Sequence, residues 1–261
     1  MSSASPKQKE LAPQRLDRLR AILHENRVAR VDDLCEELLV SPATVRRDLE
    51  ELERLGELRR VHGGAILENR RLEEPLFDDK AMIAHREKRR IAEAALALIE
   101  ADDTIYLDGG STVLALASLL GEHAGVTVVT NSLRAAWELS GKGPRVILIG
   151  GELRRLSQTM VGTLTRYLLA ELHIDKAFMG TLGMTLDEGL TTTDPGEAYT
   201  KELVMGRARE VVLLADSSKA GKVQFSHAGS VEDVNILVTD KGIDAAFVRG
   251  LERRGVRVIR A

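Results

Sequence analysis

Leucine, valine and isoleucine recur at helical spacing over residues 15–56 and predict three short helices. They fall in the stretches QRLDRLRAILHE, VDDLCEELL and SPATVRRDLEELERLG. In the third, Ser41 suits the N-cap and Pro42 the first helical position. Val45, Leu49 and Leu52 then share one face, which we expect to turn towards a core.

The next residues, ELRRVHGG, predict a short β-hairpin, or wing. Only the residues LVS separate the second helix from the third, so these helices must cross steeply, as in a helix-turn-helix. Two positions fit poorly: Arg30 is a weak N-cap, and Leu39 occupies a turn where glycine is common. We expect each to cost a little stability without changing the fold.

Beyond residue 85 the pattern changes to short Val/Ile/Leu runs that alternate with helical segments. The predicted strands are TIYL, VTVVT, RVILIG, KAFMG, EVVLLA, VNILVT and RVIRA. This alternation is typical of a doubly wound, mostly parallel α/β sheet covered on both faces. The predicted domains are a winged helix-turn-helix at residues 12–67, a polar linker at 68–85 and an α/β domain at 86–261.

Composition narrows the possible classes of protein. Of 261 residues, 44% are hydrophobic and 30% charged, which fits a soluble globular protein. No apolar run is long enough for a membrane helix, the first residues lack the apolar core of a signal peptide, and Cys35 is the only cysteine. We therefore expect a cytoplasmic protein. Residues 1–65 carry equal numbers of basic and acidic side chains, so only the placement of charge can argue for nucleic-acid binding.

That placement favours DNA. In a helix-turn-helix the N-terminal end of the second helix enters the major groove, where Ala43, Thr44 and Arg47 would lie. An arginine there can donate two hydrogen bonds to guanine. Basic residues of the hairpin can hold the DNA backbone or a minor groove; these are Arg59, Arg60 and His62. The alternative is a solvated helix with ordinary charge pairs.

Four polar or glycine-rich loops follow predicted strands of the α/β domain. The most informative is DGGST, in which two glycines allow close approach of a ligand and two hydroxyls open a helix. The others contain TNS, GGELR and DSSK. In a parallel sheet such loops converge on one crevice, so together they predict an anion-binding site, with Lys219 supplying charge. Glu197 and Lys201 could pair beside this pocket, or form a plain surface ion pair.

The run VSPATVRRDLEELERLGELRRVHGGA resembles the helix-turn-helix signature of the DeoR family of bacterial transcription regulators. The segments REKRRIA, DGGST, VVTNS, GGELR and DSSK are similar, in the same order, to the sensor domain of that family. The resemblance implies that Ser41, Thr44, Arg46 and Arg47 lie at the DNA surface. The full candidate DNA-binding set is Ser41, Pro42, Ala43, Thr44, Arg46, Arg47, Arg59, Arg60 and His62.

The resemblance also implies a sensor fold like that of ribose-5-phosphate isomerase and a phosphorylated sugar, or a related metabolite, as effector. Its phosphate would sit on Gly109–Thr112, with other polar groups nearby. The candidate effector-binding residues are Asp108, Gly109, Gly110, Ser111, Thr112, Asn131, Gly151 and Lys219. The expected function is a repressor of a carbohydrate operon, which forms a homo-oligomer on duplex operator DNA and is released by the effector.

Two other classes remain open from the sequence. An isomerase-like enzyme would need clustered acids near IDKAFMG, where Asp175 and Lys176 are followed by apolar residues. We therefore expect no catalytic residues, and the scattered histidines predict no metal site and no cofactor. If the DGGST loop is only a turn, the α/β domain is an interaction module that takes no sugar phosphate.

Overall fold

The computed structural model describes residues 12–26, 28–54, 58–61, 63–67 and 77–261. The chain forms two compact units that divide between residues 73 and 74. The elements of the first unit are α1 (Ala12–Asn26), β1 (Val28–Arg30), α2 (Val31–Leu38), α3 (Pro42–Arg54), β2 (Leu58–Val61) and β3 (Gly64–Leu67).

The first unit is a winged helix-turn-helix, as the sequence predicted. Leucines from α1, α2 and α3 form one buried cluster together with Leu58 of β2. Strands β2 and β3 form the predicted hairpin, and β1, which the pattern did not predict, pairs with β3. Arg30 makes no side-chain cap at the start of α2. Leu39 ends that helix in the left-handed region, at φ 56°, a conformation that costs a non-glycine residue about 1 kcal/mol.

The second unit is built on seven parallel strands. In spatial order they are β15 (Arg257–Arg260), β14 (Ile236–Thr239), β12 (Ala208–Leu214), β9 (Ile174–Met179), β4 (Thr104–Leu107), β5 (Thr127–Thr130) and β6 (Arg145–Leu148). All seven correspond to predicted strands, and every neighbouring pair is parallel. The predicted doubly wound α/β class is therefore confirmed.

Seven helices accompany the strands in the described part of this unit. They are α4 (Phe77–Met82), α5 (His85–Leu96), α6 (Ser111–Ala117), α7 (Leu133–Leu139), α8 (Thr165–Ala170), α9 (Pro195–Met205) and α10 (Ala245–Arg253). Buried side chains form a separate apolar cluster on each face of the sheet. Strands of apolar residues are stable here because both faces are covered.

Two small antiparallel sheets were not predicted. One is the hairpin of β7 (Glu152–Arg154) and β8 (Thr159–Val161), and the other contains β10 (Gly183–Thr185), β11 (Gly189–Thr192) and β13 (Ser226–Gly229). These strands are too short to show alternation, and they lack the Val/Ile/Leu runs that predicted the parallel strands.

The predicted linker, residues 68–85, is only partly a connection. Residues 68–76 lie outside the described part, but α4 belongs to the second unit. Phe77 is buried, and its ring centroid lies 4.6 Å from the guanidinium carbon of Arg134 on α7. The polar sequence around one buried phenylalanine concealed this helix.

The order of the strands creates a topological switch point beyond the carboxyl ends of β4 and β9. From β4 the chain winds outward through β5 and β6, then returns to β9 and winds outward the other way through β12, β14 and β15. The loops after β4 and β9 therefore diverge at their carboxyl ends. Such a switch point is where open α/β sheets bind ligands.

Candidate DNA-binding and effector sites

The N-terminal end of α3 has the exposure that the sequence predicted for a recognition helix. The Ser41 hydroxyl accepts a hydrogen bond from the Thr44 amide at 3.3 Å, and Pro42 begins the helix. Ala43, Arg46 and Arg47 are exposed, opposite the buried stripe of valine and leucines. The two arginines are therefore positioned to contact a negatively charged partner.

The acidic residues further along α3 are paired with basic ones. Arg60 of the wing forms ion pairs with Glu50 and with Glu53, the second at 3.3 Å, and Arg54 pairs with Glu51 at 2.7 Å. These pairs neutralise charge that would repel DNA. They also engage Arg60, which we had expected to face DNA. His62 and the side chain of Arg59 lie outside the described residues.

In the second unit, Asp108 lies at the switch point, buried at the end of β4. Its Oδ2 accepts a hydrogen bond from the Gly180 amide at 3.0 Å and one from Lys201 of α9. Lys201 Nζ also donates to the Gly180 carbonyl at 2.9 Å. Lys201 therefore joins α9 to the loops after β4 and β9, and it does so as a buried ion pair instead of a surface one.

A cluster of cations lies beside the DGGST loop. Lys88 of α5 is only 5% exposed, and its ammonium donates to the Lys80 carbonyl. The Ser111 hydroxyl donates to the same carbonyl at 3.4 Å. Burial lowers the pKa of Lys88 to about 8; Asp216 partly offsets this change, whereas Lys219 and Lys80 add to it. We call Lys80, Lys88, Lys219 and Ser111 the lysine cluster.

The sequence analysis missed Lys88, although a signal was present. Lys88 precedes Ile91, Ala92 and Ala95 at helical spacing, so a lysine occupies the apolar face of α5. A buried cation close to two other lysines is costly, and Asp216 offsets only part of this cost. The lysines, more than the dipole of the seven-residue α6, supply the positive charge here.

The predicted glycines differ in what they do. A Cβ on Gly109 would lie 2.2 Å from Thr159 Cγ2, so this position requires glycine for packing. Gly110 has φ +127° and open space around it, immediately before Ser111. A Cβ on Gly151 would lie 2.9 Å from the Val161 carbonyl oxygen, which is again a packing reason. Thr112 is buried within α6.

Asn131 connects the loop after β5 to the β7–β8 hairpin. Its side-chain Nδ2 donates to the Met160 backbone carbonyl at 3.0 Å, and its backbone carbonyl accepts from the Met160 amide at 2.8 Å. Asn131 is 2% exposed, and its Oδ1 has no hydrogen-bond partner among the residues that the structure describes. A buried amide oxygen without a partner costs about 1–3 kcal/mol, so it is well placed to accept a hydrogen bond from a ligand.

Glu197 does not pair with Lys201 as we had considered. Its carboxylate interacts with Arg154 of β7 at 3.2 Å and accepts a hydrogen bond from Thr192 at 2.9 Å. Arg154 also pairs with Asp194, the N-cap of α9, at 3.3 Å. This network fastens the hairpin to α9.

The residues considered for isomerase chemistry lie at the other end of the sheet. Asp175 accepts a hydrogen bond from the Thr104 amide at 2.9 Å, and Lys176 pairs with Asp103 at 2.7 Å. Both are at the beginning of β9, whereas Asp108 and the lysine cluster lie beyond the carboxyl ends of the strands. Among the described residues, no group of histidine, cysteine and acidic side chains could hold a metal ion, and no helix is long and apolar enough to span a membrane.

The fold and these side chains define a class: a helix-turn-helix protein whose second domain is an α/β unit with polar loops at its switch point. Residues 15–71 match the DeoR-like helix-turn-helix domain, and residues 83–241 match the DeoR C-terminal sensor domain. The chain therefore belongs to the DeoR family of transcription regulators, as its motifs predicted, and it is a DNA-binding regulator instead of an enzyme.

Individual relatives with assigned names include transcription regulators of similar length. The chain is 35% identical to the HTH-type transcriptional regulator YulB of Bacillus subtilis over 249 residues, which cover 95% of this chain and 96% of that protein. It is 38% identical to the lactose phosphotransferase system repressor of Streptococcus mutans, with 87% and 91% covered. A solved ribose 5-phosphate isomerase A from Methanocaldococcus jannaschii matches at 22% identity and TM-score 0.39, covering 51% of this chain and 53% of that one.

Proposed function

We propose that this regulator is a repressor of a carbohydrate operon, which releases duplex operator DNA when a phosphorylated sugar or a related metabolite binds the lysine cluster. A relative of similar length is named as the repressor of a lactose phosphotransferase system, which supports this substrate class. The observation that carries the proposal is Lys88, a buried cation whose pKa is lowered to about 8 beside two further lysines.

A phosphate matches the lysine cluster in charge and in hydrogen bonding. A dianionic phosphoryl group accepts charge-assisted hydrogen bonds from ammonium and hydroxyl groups, and Ser111 supplies a hydroxyl. Its charge would stabilise the protonated form of Lys88 and offset the cost of burial. The uncharged part of the effector would extend towards Asn131, whose Oδ1 has no partner in the described part of the chain and would accept a hydrogen bond from a sugar hydroxyl.

At the other domain, the N-terminal turns of α3 enter the major groove in this proposal, and Arg46 and Arg47 contact bases or phosphates. Ser41, Pro42, Ala43 and Thr44 approach the backbone, with the wing beside them. The protein acts as a homo-oligomer, because a symmetric pair of subunits binds the two half-sites of an operator. It acts in the cytoplasm, where the operator DNA lies. The effector changes operator affinity only as far as it prefers one arrangement of the protein, about 5- to 150-fold for a coupling of 1–3 kcal/mol.

The test uses the full-length protein, a panel of sugar phosphates and their unphosphorylated parent sugars. A ligand at about 100 times its Kd adds about 2.7 kcal/mol to the folded state. One phosphate should raise Tm by several degrees, and its parent sugar should not. The same phosphate should release the protein from an operator duplex. If no phosphate changes either Tm or DNA binding, the proposed effector class is wrong.

A variant pair locates the site. Lys219→Met should abolish the thermal shift and the release of DNA, while operator affinity without effector stays unchanged. Lys142→Met is the matched control, because Lys142 is an exposed lysine that pairs with Glu138 on α7. An unchanged response in Lys219→Met would place the effector elsewhere.

A further inference from the structure

The recognition helix carries an acidic side chain on its buried face. Asp48 lies among Val45, Leu49 and Leu52, which are at most 1% exposed, and is itself only 6% exposed. No ligand or DNA contact explains a charge at this position, because the side chain faces the interior of the domain.

The partner of Asp48 is Arg15, on the first turns of α1. Arg15 Nε donates to Asp48 Oδ2 at 2.6 Å, and Arg15 Nη2 donates to Asp48 Oδ1 at 3.0 Å. The two side chains are 13% and 8% exposed. The guanidinium therefore donates two parallel hydrogen bonds to the carboxylate across the α1–α3 contact. Because the guanidinium is planar, this bidentate geometry restricts how the two side chains can rotate relative to each other.

Stability alone does not account for this pair. Replacing a buried ion pair by apolar residues of similar volume is often neutral or stabilising, because the desolvation of both charges is avoided. Leucines of α1 and α3, among them Leu19 and Leu49, already join these helices in one cluster. Such apolar contacts are non-directional, so they fix the roll of α3 about its axis less strictly than two parallel hydrogen bonds do.

The orientation of α3 matters because Arg46 and Arg47 immediately precede Asp48. An α-helix with its side chains has a radius of about 5–6 Å, so a roll of about 20° moves a side-chain tip by about 2 Å. A hydrogen bond to a base edge tolerates only a few tenths of an ångström. A pair that fixes the roll of α3 from the buried side therefore fixes what its exposed side can read.

We propose that Arg15 and Asp48 are positioning residues, which hold the roll of α3 and thereby set the sequence specificity of DNA binding. They touch no DNA. Their loss should reduce discrimination between DNA sequences, while general affinity for DNA and the fold of the domain persist.

The experiment uses full-length protein and a duplex that the wild-type protein selects from a randomised pool, with a shuffled duplex of the same composition as the non-specific reference. The apolar replacement is the double variant Arg15→Met/Asp48→Leu, which leaves net charge unchanged. Its control is Arg20→Met/Asp17→Leu, which removes the exposed pair on α1, at 2.7 Å, by the same chemistry. Kd for both duplexes is measured at one salt concentration, together with Tm.

In the apolar variant we expect Tm at or above the wild-type value and unchanged affinity for the shuffled duplex. The Kd for the shuffled duplex divided by the Kd for the selected duplex should fall about 5- to 150-fold. This is the discrimination that one bidentate base contact supplies. The control should keep the wild-type ratio. A wild-type ratio in the apolar variant, with Tm retained, would overturn the proposal.

A second variant tests the positioning role of the pair if the apolar variant does not fold. Arg15→Lys keeps the charge but lacks the fork, so it supports the fold while allowing α3 to roll. Its Kd ratio should fall, and selection from the randomised pool should return broader base preferences at the positions next to α3. Unchanged base preferences in Arg15→Lys would show that the pair serves stability alone.

Discussion

Replacing Lys88 by methionine should make the effector-free protein more stable at pH 7. Lys88 has a pKa of about 8 in the folded state, whereas a lysine in an unfolded chain has about 10.4. At pH 7 both states are protonated, and the folded state carries the cost of a desolvated ammonium. Methionine has a similar length and no charge, and the Lys80 carbonyl that loses a partner still accepts from Ser111.

The size of the effect follows from the pKa difference. Each pKa unit corresponds to about 1.4 kcal/mol, which gives an upper limit of about 3 kcal/mol. Residual solvation of the ammonium beside polar loops reduces the expected gain to about 1–2 kcal/mol. Because the folded-state pKa is the lower one, the folded state binds fewer protons between about pH 8 and 10.4. The penalty is therefore complete below pH 8 and disappears as the pH rises through this window.

Urea unfolding at pH 7 and pH 10.5 measures this difference directly. Lys88→Met should exceed the wild-type protein in stability at pH 7 and match it at pH 10.5, since other titrating groups are common to both proteins. Lys142→Met should differ from the wild-type protein by no more than about 0.5 kcal/mol at either pH. In the same preparations, Lys88→Met should lose the thermal shift caused by the sugar phosphate.

If Lys88→Met is no more stable than the wild-type protein at pH 7, or gains the same stability at both pH values, the ammonium is not held at a desolvation cost. The lysine cluster would then not be a site prepared for an anion. Lys88→Arg, which keeps the charge, separates the loss of charge from the loss of the side chain.

Three further predictions concern single residues. Arg47→Ala should weaken operator binding by about 1–3 kcal/mol in anisotropy titrations, whereas Arg54→Ala, at the far end of α3, should not. Gly109→Ala should lower Tm by several degrees, because its methyl group would collide with Thr159; an unchanged Tm would mean that the β7–β8 hairpin moves freely. Leu39→Gly should raise the free energy of unfolding by about 0.5–1 kcal/mol in urea titrations, because glycine adopts the left-handed conformation without steric cost; an unchanged value would contradict a cost at Leu39.

The sequence by itself determined what depends on neighbouring residues. Local signals predicted α3 and the main sheet correctly. They are the cap and apolar stripe of α3 and the Val/Ile/Leu runs of all seven parallel strands. The same holds for the DGGST loop, because a strand, two glycines and two hydroxyls follow one another in the chain. Short strands such as β1 and β7 were missed because their pairing, and not their composition, makes them strands.

Only the tertiary structure decided which charges meet. Arg15 and Asp48 lie 33 residues apart in the chain, and Asp108 and Lys201 lie 93 apart, so no periodicity relates them. In the sequence, Lys88 is one of several basic residues in a charged helix. In the structure, the packing of α5 buries it near Lys219 and Asp216. Burial and pairing arise from chain segments that are distant in sequence and meet only in the folded domain, so neighbouring residues do not reveal either property.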